Sequence, residues 1–165
     1  MTVSLEWHEV LMAAQIGLQR EVECIKRLSK DRRPNIRHSW DQCVRGALGE
    51  LAACKALGVF WDGSVNTYKT KPDIAPNIQV RTRPVDDART TYDLIVRKSD
   101  KDTDTFVLVT GQRETFVVRG WITGKMAKLP EYVKNYDGHE EAWFVPRTAL
   151  RPISELASLL RDGRN

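Results

Sequence analysis

One stretch of the sequence places acidic, amide and basic side chains close together: residues 71–83, which read Lys-Pro-Asp-Ile-Ala-Pro-Asn-Ile-Gln-Val-Arg-Thr-Arg. Side chains alternate in an extended strand, so Gln79 and Arg81 share one face of the predicted strand. A turn at Pro76-Asn77 would bring Asp73 back beside both of them. Carboxylate and amide oxygens are the ligands that magnesium takes. The spacing therefore indicates a site for a hard cation next to a basic side chain.

The same residues, with a glutamate on the helix before them, resemble the PD-(D/E)XK nuclease superfamily. The run Gly46-Ala47-Leu48-Gly49-Glu50-Leu51-Ala52 resembles the Gly-x-x-Gly-Glu-x-Ala run that carries the first acidic residue in many of these nucleases. Asp73 follows a proline, as in the family motif. The triplet Gln79-Val80-Arg81 matches the family's Glu/Gln-x-Lys, except that arginine stands where the family has lysine. The resemblance spans about residues 39–111, less than half of the chain.

The resemblance implies an α/β fold of the restriction-endonuclease-like type, in which α-helices flank a mixed β-sheet. It also implies a nuclease that hydrolyses DNA phosphodiester bonds with Mg²⁺, for which Mn²⁺ would substitute, of a kind frequent in bacteria and their phages. The implied catalytic residues are Glu50, Asp73, Gln79 and Arg81. The implied metal ligands are Glu50, Asp73, the Gln79 amide and the Val80 carbonyl. Such a metal polarises the scissile phosphate and activates a water molecule.

The arginine of the triplet leaves an alternative open. Arginine stays protonated, so Arg81 can offset charge on phosphate but is a poor base for water. Lys71 would take over if the strand geometry brought its ammonium group near Arg81. The alternative is an eroded nuclease fold that binds nucleic acid without cleaving it. In either case four basic residues are expected to contact nucleic acid, with DNA as the implied partner: Lys71, Arg83, Arg37 and Arg45.

The hydrophobic pattern predicts the elements that position these residues. Apolar residues at three- and four-residue spacing predict a first helix at about 5–29 with one buried stripe, and a serine N-cap and a C-terminal glycine bound a second helix at 39–57. A closing amphipathic helix is expected at 153–161, and a short one at 124–129. The predicted strands are 64–68, 73–75, 78–83, 106–110, 116–122 and 141–145, while 92–97 fits either a strand or a helical turn.

Composition places limits on the class of protein. The 165 residues favour a single domain, 1–165, and the sequence has no apolar run long enough for a membrane span and no secretory signal, which predicts a cytoplasmic protein. Three cysteines without CxxC spacing suggest neither a disulfide framework nor a zinc site. The net charge of +4 is compatible with a polyanionic partner. A third hypothesis is an interaction protein, in which the long first helix and the tryptophans build a homo-oligomer.

Overall fold

The computed structural model describes residues 1–31, 40–65, 71–85, 92–134 and 141–163. Within these ranges the chain forms four α-helices and seven β-strands. The helices are α1 (Trp7–Asp31), α2 (Trp40–Leu57), α3 (Gly124–Ala127) and α4 (Ile153–Asp162). The strands are β1 (Thr2–Ser4), β2 (Ile78–Arg83), β3 (Leu94–Arg97), β4 (Thr105–Gln112), β5 (Thr115–Thr123), β6 (Val133–Lys134) and β7 (Ala142–Val145).

The strands form two sheets. The larger is a mixed sheet in the order β1-β5-β4-β2, in which β2 and β4 are parallel and the other neighbours are antiparallel. The smaller is an antiparallel sheet in the order β3-β7-β6. Strand β4 is buried along all but its last residue, as expected for an apolar strand that is covered on both faces. Strand β2 lies at one edge of the larger sheet.

The two faces of the larger sheet are covered differently. Alternate β4 residues divide between two cores: Val107 and Val109 pack with α2 and α4, whereas Phe106 and Leu108 pack with β3 and β7. Helices therefore cover one face, and the three-stranded sheet with the short helix α3 covers the other. The predicted α/β class with a mixed sheet is confirmed. The restriction-endonuclease-like arrangement is a finer statement and remains a proposal.

Helix α2 lies directly on β2. A Cβ added at Gly49 would overlap the Thr82 side chain, so the glycine permits this close approach and holds the neighbouring Glu50 against the strand. Gly46, the first glycine of the same run, does not have this role, because nothing lies within 4 Å of a Cβ at that position. Instead Gly17 of α1 provides the second close contact, against the backbone of α2 at Val44.

The predicted stripe of α1 is not its buried face. Leu11, Leu18 and Ile25 are exposed, whereas Ala13 and Gly17 are buried against α2. The helical period of α1 was predicted correctly, but the wrong face was predicted to be buried. The face that contacts α2 consists of small residues, which contribute little to a hydrophobic pattern.

Most other predicted elements are confirmed within a few residues, and 92–97 resolves as strand β3. The predicted strand at 73–75 is wrong: only Ile74 forms an isolated bridge, to Ile78, because residues 75–77 form a turn. The predicted strand at 64–68 is absent at its first two residues, and the rest lies outside the described residues. Strands β1 and β6 were not predicted, since two or three residues give too little alternation.

Within the described ranges, no helix has the length and apolar character needed to span a membrane.

Candidate functional site

Asp73 lies at the free edge of β2. Ile74 and Ile78 form two backbone hydrogen bonds with each other, at 3.0 and 2.9 Å. This bridge places Asp73 beside the amide of Val80, which points outward from the strand. The Val80 N–H donates to Asp73 Oδ2 at 2.7 Å. The N–H and C=O of one strand residue point the same way, so the Val80 carbonyl also faces this edge. The predicted return of Asp73 to the strand is confirmed, although it is made by a bridge and not by a hairpin of two strands.

The Asp73 carboxyl group is electrostatically strained. Its pKa is raised from 3.8 to about 6. Burial is the largest cause and the negative charge of Glu50 adds to it, whereas the Val80 hydrogen bond and the charges of Arg81 and Arg20 act in the opposite direction. Two carboxylates whose charges repel one another favour the binding of a cation between or beside them. Glu50 thus contributes negative charge at Asp73, and the sharing of one cation by the two residues stays a prediction.

Glu50 already has a cationic partner. Its side chain is buried, with 6% of the residue exposed, and Arg20 of α1 donates to Oε1 at 2.5 Å and to Oε2 at 2.8 Å. The Trp61 indole N–H donates to Oε2 at 3.3 Å, and Arg20 Nε donates to the Ser64 carbonyl at 2.9 Å. A two-pronged pair of this kind is the strong form of an ion pair. Both Glu50 oxygens are thus occupied by donors from the protein itself.

Gln79 and Arg81 share one face of β2, as predicted, and this is the face that points away from α2. Arg81 lies over the Phe106 ring, 5.2 Å from its centroid, and donates to Asp100 Oδ2 at 2.9 Å. The same oxygen accepts from the backbone N–H of Arg97 at 2.9 Å. The Gln79 amide donates to Asp104 Oδ2 at 3.4 Å, so its nitrogen is turned toward the loop before β4.

A pocket of about 520 Å³ follows the edge of β2. Its lining includes Asp73, Gln79, Arg81, Arg83, Arg97 and Asp100. These side chains carry three formal positive and two formal negative charges, and the Val80 backbone lies among them. We call this cavity the β2 pocket. It brings together three of the four predicted catalytic residues, whereas the fourth, Glu50, lies behind the strand and outside the lining.

The predicted nucleic-acid-binding residues divide into separate groups. Arg83 lines the β2 pocket, and Lys71 is exposed two residues before Asp73. Arg45 forms an ion pair with Asp41 on the first turns of α2, and burial lowers its pKa. Arg45 does not belong to the pocket lining. Arg37 lies outside the described residues.

Sequence reasoning missed the partners that hold these residues. Arg20 lies on the buried side of α1 with Ala13 and Gly17, and small residues at four-residue spacing were a usable signal for that second face. Asp100 and Asp104 lie in the loop between β3 and β4. An acidic loop that follows a basic strand was the signal that the two would pair.

The described residues contain no cluster of three or more histidine, cysteine, aspartate or glutamate side chains placed to hold a metal ion. A cation at the β2 edge would therefore use Asp73 with backbone and amide oxygens. Comparison with protein-family models, with curated proteins and with solved structures finds no match for this chain.

Proposed function

We propose that this chain is a magnesium-dependent nuclease that hydrolyses DNA phosphodiester bonds on a restriction-endonuclease-like fold. One observation carries the proposal: the Asp73 carboxylate lies at the free edge of β2, hydrogen-bonded to the Val80 N–H at 2.7 Å and coupled to the charge of Glu50. A strained carboxylate beside an outward-facing carbonyl suits a hard cation. The mixed sheet, with the helix bearing Glu50 packed on β2, agrees with the fold that the motif implies.

The residues at the edge fit magnesium in ligand type. Mg²⁺ is held by one or two carboxylates with water and phosphate oxygens completing the shell. Asp73, the Val80 carbonyl and the Gln79 amide oxygen are the candidate ligands, and Glu50 contributes negative charge from behind the strand. When bound, the ion would polarise the phosphate and lower the pKa of a water molecule.

The chain's own residues would bind and orient the substrate. Arg81, Arg83 and Arg97 present guanidinium groups in the β2 pocket, which suits the negatively charged backbone of a nucleic acid. Asp100 holds Arg81 toward Phe106 and so fixes the direction of that guanidinium. Arg81 remains protonated at neutral pH and therefore stabilises charge on phosphate without accepting a proton.

The second candidate is a protein of the same fold that binds nucleic acid without cleaving it. The ion pair between Arg20 and Glu50 favours this alternative, because a permanent cation already neutralises the acid that the resemblance assigns to the metal. In that case the arginines of the β2 pocket bind phosphate, and Asp73 serves only to shape the strand edge. Both candidate proteins bind nucleic acid, and they differ in whether a phosphodiester bond is hydrolysed.

The test is a cleavage and binding assay on single- and double-stranded DNA and on RNA, with Mg²⁺ or Mn²⁺ and with EDTA. We expect metal-dependent cleavage of DNA that Asp73→Asn reduces by at least about 100-fold, since a carboxylate ligand is lost. Asp162→Asn, on the last turn of α4, is the matched control and should leave cleavage unchanged. Binding measured by fluorescence anisotropy should weaken with salt, because each neutralised phosphate releases counterions.

Three results would redirect the assignment. Salt-dependent binding without cleavage of any substrate, in wild type and in Arg81→Lys, would replace the nuclease by the binding protein. Absence of binding at low salt would contradict both candidates. Cleavage of RNA in preference to DNA would retain the chemistry and change the substrate.

A further inference from the structure

Helix α1 carries an apolar stripe on its exposed side. Six of the twelve exposed large apolar residues in the described part of the chain lie on this one helix. Leu11, Leu18 and Ile25 recur at intervals of seven residues and are exposed by 61, 42 and 44%. Trp7 and Val22 extend the row, with 72 and 40% exposed. We call these five residues the α1 stripe.

The α1 stripe is separate from the face by which α1 joins its own chain. That inner face holds Ala13 and Gly17 against α2, together with Arg20, whose guanidinium contacts Glu50. An amphipathic helix needs one apolar face to pack on its domain. The second apolar face is therefore left without a partner among the described residues.

The spacing of the stripe indicates that its partner is a helix. A repeat of seven residues is the mark of helices that pack along a shared seam, whereas a helix resting on a sheet follows the 3.6-residue period. The α1 stripe runs from Trp7 to Ile25, which is about 27 Å along the helix. One of its flanks carries Gln15 and Gln19 together with the exposed Lys26.

The stripe is complementary to itself in the antiparallel direction. A two-fold axis at Leu18 places Leu11 opposite Ile25 of the other copy, and Ala14 opposite Val22. In the second of these pairs the larger Val22 side chain lies opposite the small Ala14 side chain. The antiparallel arrangement also places the N-terminus of each α1 helix beside the C-terminus of the other, so the two helix dipoles attract one another.

The area suffices for a dimer of modest affinity. The exposed parts of the five stripe residues amount to roughly 400–500 Å² per chain, or about 800–1,000 Å² in a symmetric pair. The flanking glutamines and Met12 would bring this near the ~1,200 Å² at which stable interfaces begin. We propose that a second copy of this chain covers the α1 stripe, with the two α1 helices packed antiparallel about a two-fold axis at Leu18.

Sedimentation equilibrium and light scattering on the full chain test the association. We expect a concentration-dependent dimer, and Leu18→Lys should shift it to monomer, because two ammonium groups would meet at the axis. Leu18 is already partly exposed, so the variant should keep its circular dichroism spectrum. Leu159→Lys, on an exposed residue of α4, is the matched control and should remain dimeric.

Disulfide crosslinking tests the orientation. In an antiparallel pair Leu18→Cys lies next to its own copy, whereas the two Leu11→Cys positions are about 21 Å apart along the axis. Under oxidising conditions Leu18→Cys should crosslink above the background of the native cysteines, and Leu11→Cys should not. A monomer at roughly 200 μM, a dimer that survives Leu18→Lys, or equal crosslinking of both cysteine variants would overturn the proposal.

Discussion

On the side of β2 that faces α2, a buried acid is held by an arginine from the same chain, whereas on the other side an arginine stands at the wall of an open pocket. Glu50 and Arg20 have side chains exposed by 9 and 22%, and both Glu50 oxygens are bonded. Arg81 also has an acidic partner, Asp100, but it lines the β2 pocket. The sheet thus separates the two halves of the sequence motif.

The comparison explains why Asp73 is the central residue of the candidate site. Asp73 lies at the edge of the strand and responds to charges on both sides: Glu50 raises its pKa, and Arg81 and Arg20 lower it. The pKa of a carboxyl group that lay on only one face of the sheet would be shifted only by the charges on that face. A cation at this edge would therefore be influenced by the buried acid behind the strand and by the arginines of the pocket in front of it.

The greatest loss of stability is expected from breaking the buried ion pair between Arg20 and Glu50. Arg20→Gln should lower the free energy of unfolding by about 2–4 kcal/mol, because Glu50 is left charged and buried. The corresponding change on the pocket side, Arg81→Gln, should lower it by less than about 1 kcal/mol, since that pair stands beside water. Urea denaturation at pH 7 measures both. Equal losses would remove the distinction between the two faces.

A paired change tests whether the charge itself matters on the buried side. Replacing both partners, as in Arg20→Met with Glu50→Leu, should recover most of the loss of the single variant, because no unpaired charge remains. Arg147→Ala, an exposed residue of the 3₁₀ helix Arg147–Ala149, serves as a control and should be neutral. A double variant less stable than Arg20→Gln would show that the side-chain shapes matter more than the charges.

The contact that brings α2 onto β2 can be tested separately. Gly49→Ala should destabilise the protein by about 1–3 kcal/mol, because its Cβ meets Thr82. Gly46→Ala, three residues earlier on the same helix, should stabilise it by about 1 kcal/mol, since alanine is the better helix former and nothing obstructs it. Thermal unfolding compares the two variants. A neutral Gly49→Ala would mean that α2 can shift away from the strand without loss.

The pH dependence of stability isolates Asp73. Its folded pKa of about 6 exceeds the ordinary 3.8, so its contribution to stability is full below pH 3.8 and is lost as the pH rises through 6. The loss should be about 1–3 kcal/mol by pH 8. Asp73→Asn should not show it, so its stability relative to wild type should grow with pH, as measured by urea denaturation between pH 4 and pH 8. A difference that does not vary with pH would contradict the strained carboxylate.

A small change in the rate of DNA cleavage is expected from replacing Arg81 of the Gln79-Val80-Arg81 triplet. Arg81→Lys should raise magnesium-dependent cleavage within about 10-fold, because an ammonium is compact and shifts its pKa more readily than a guanidinium. The measurement is the initial rate of DNA cleavage under matched conditions. A lower rate would mean that the two-pronged grip of arginine on phosphate is the useful interaction.

Much of the local structure was readable from the sequence, and the arrangement was not. Strands β2, β4 and β5 follow from apolar runs, and the return of Asp73 toward β2 follows from Pro76-Asn77. The face of α1 was assigned wrongly, because Gly17 and Ala13 form a contact that hydrophobicity does not report. Arg20 was missed for the same reason, since its partner Glu50 lies 30 residues away on another helix and only packing brings them together.

Crystallography of the protein with bound manganese would show whether a cation binds at the edge of β2. We expect an anomalous peak from Mn²⁺ at the free edge of β2, about 2.2 Å from an Asp73 carboxylate oxygen and from the Val80 carbonyl, and no such peak in Asp73→Asn. A peak elsewhere, or an Asp73 carboxylate that contacts only the Val80 N–H at saturating manganese, would contradict the metal-dependent site.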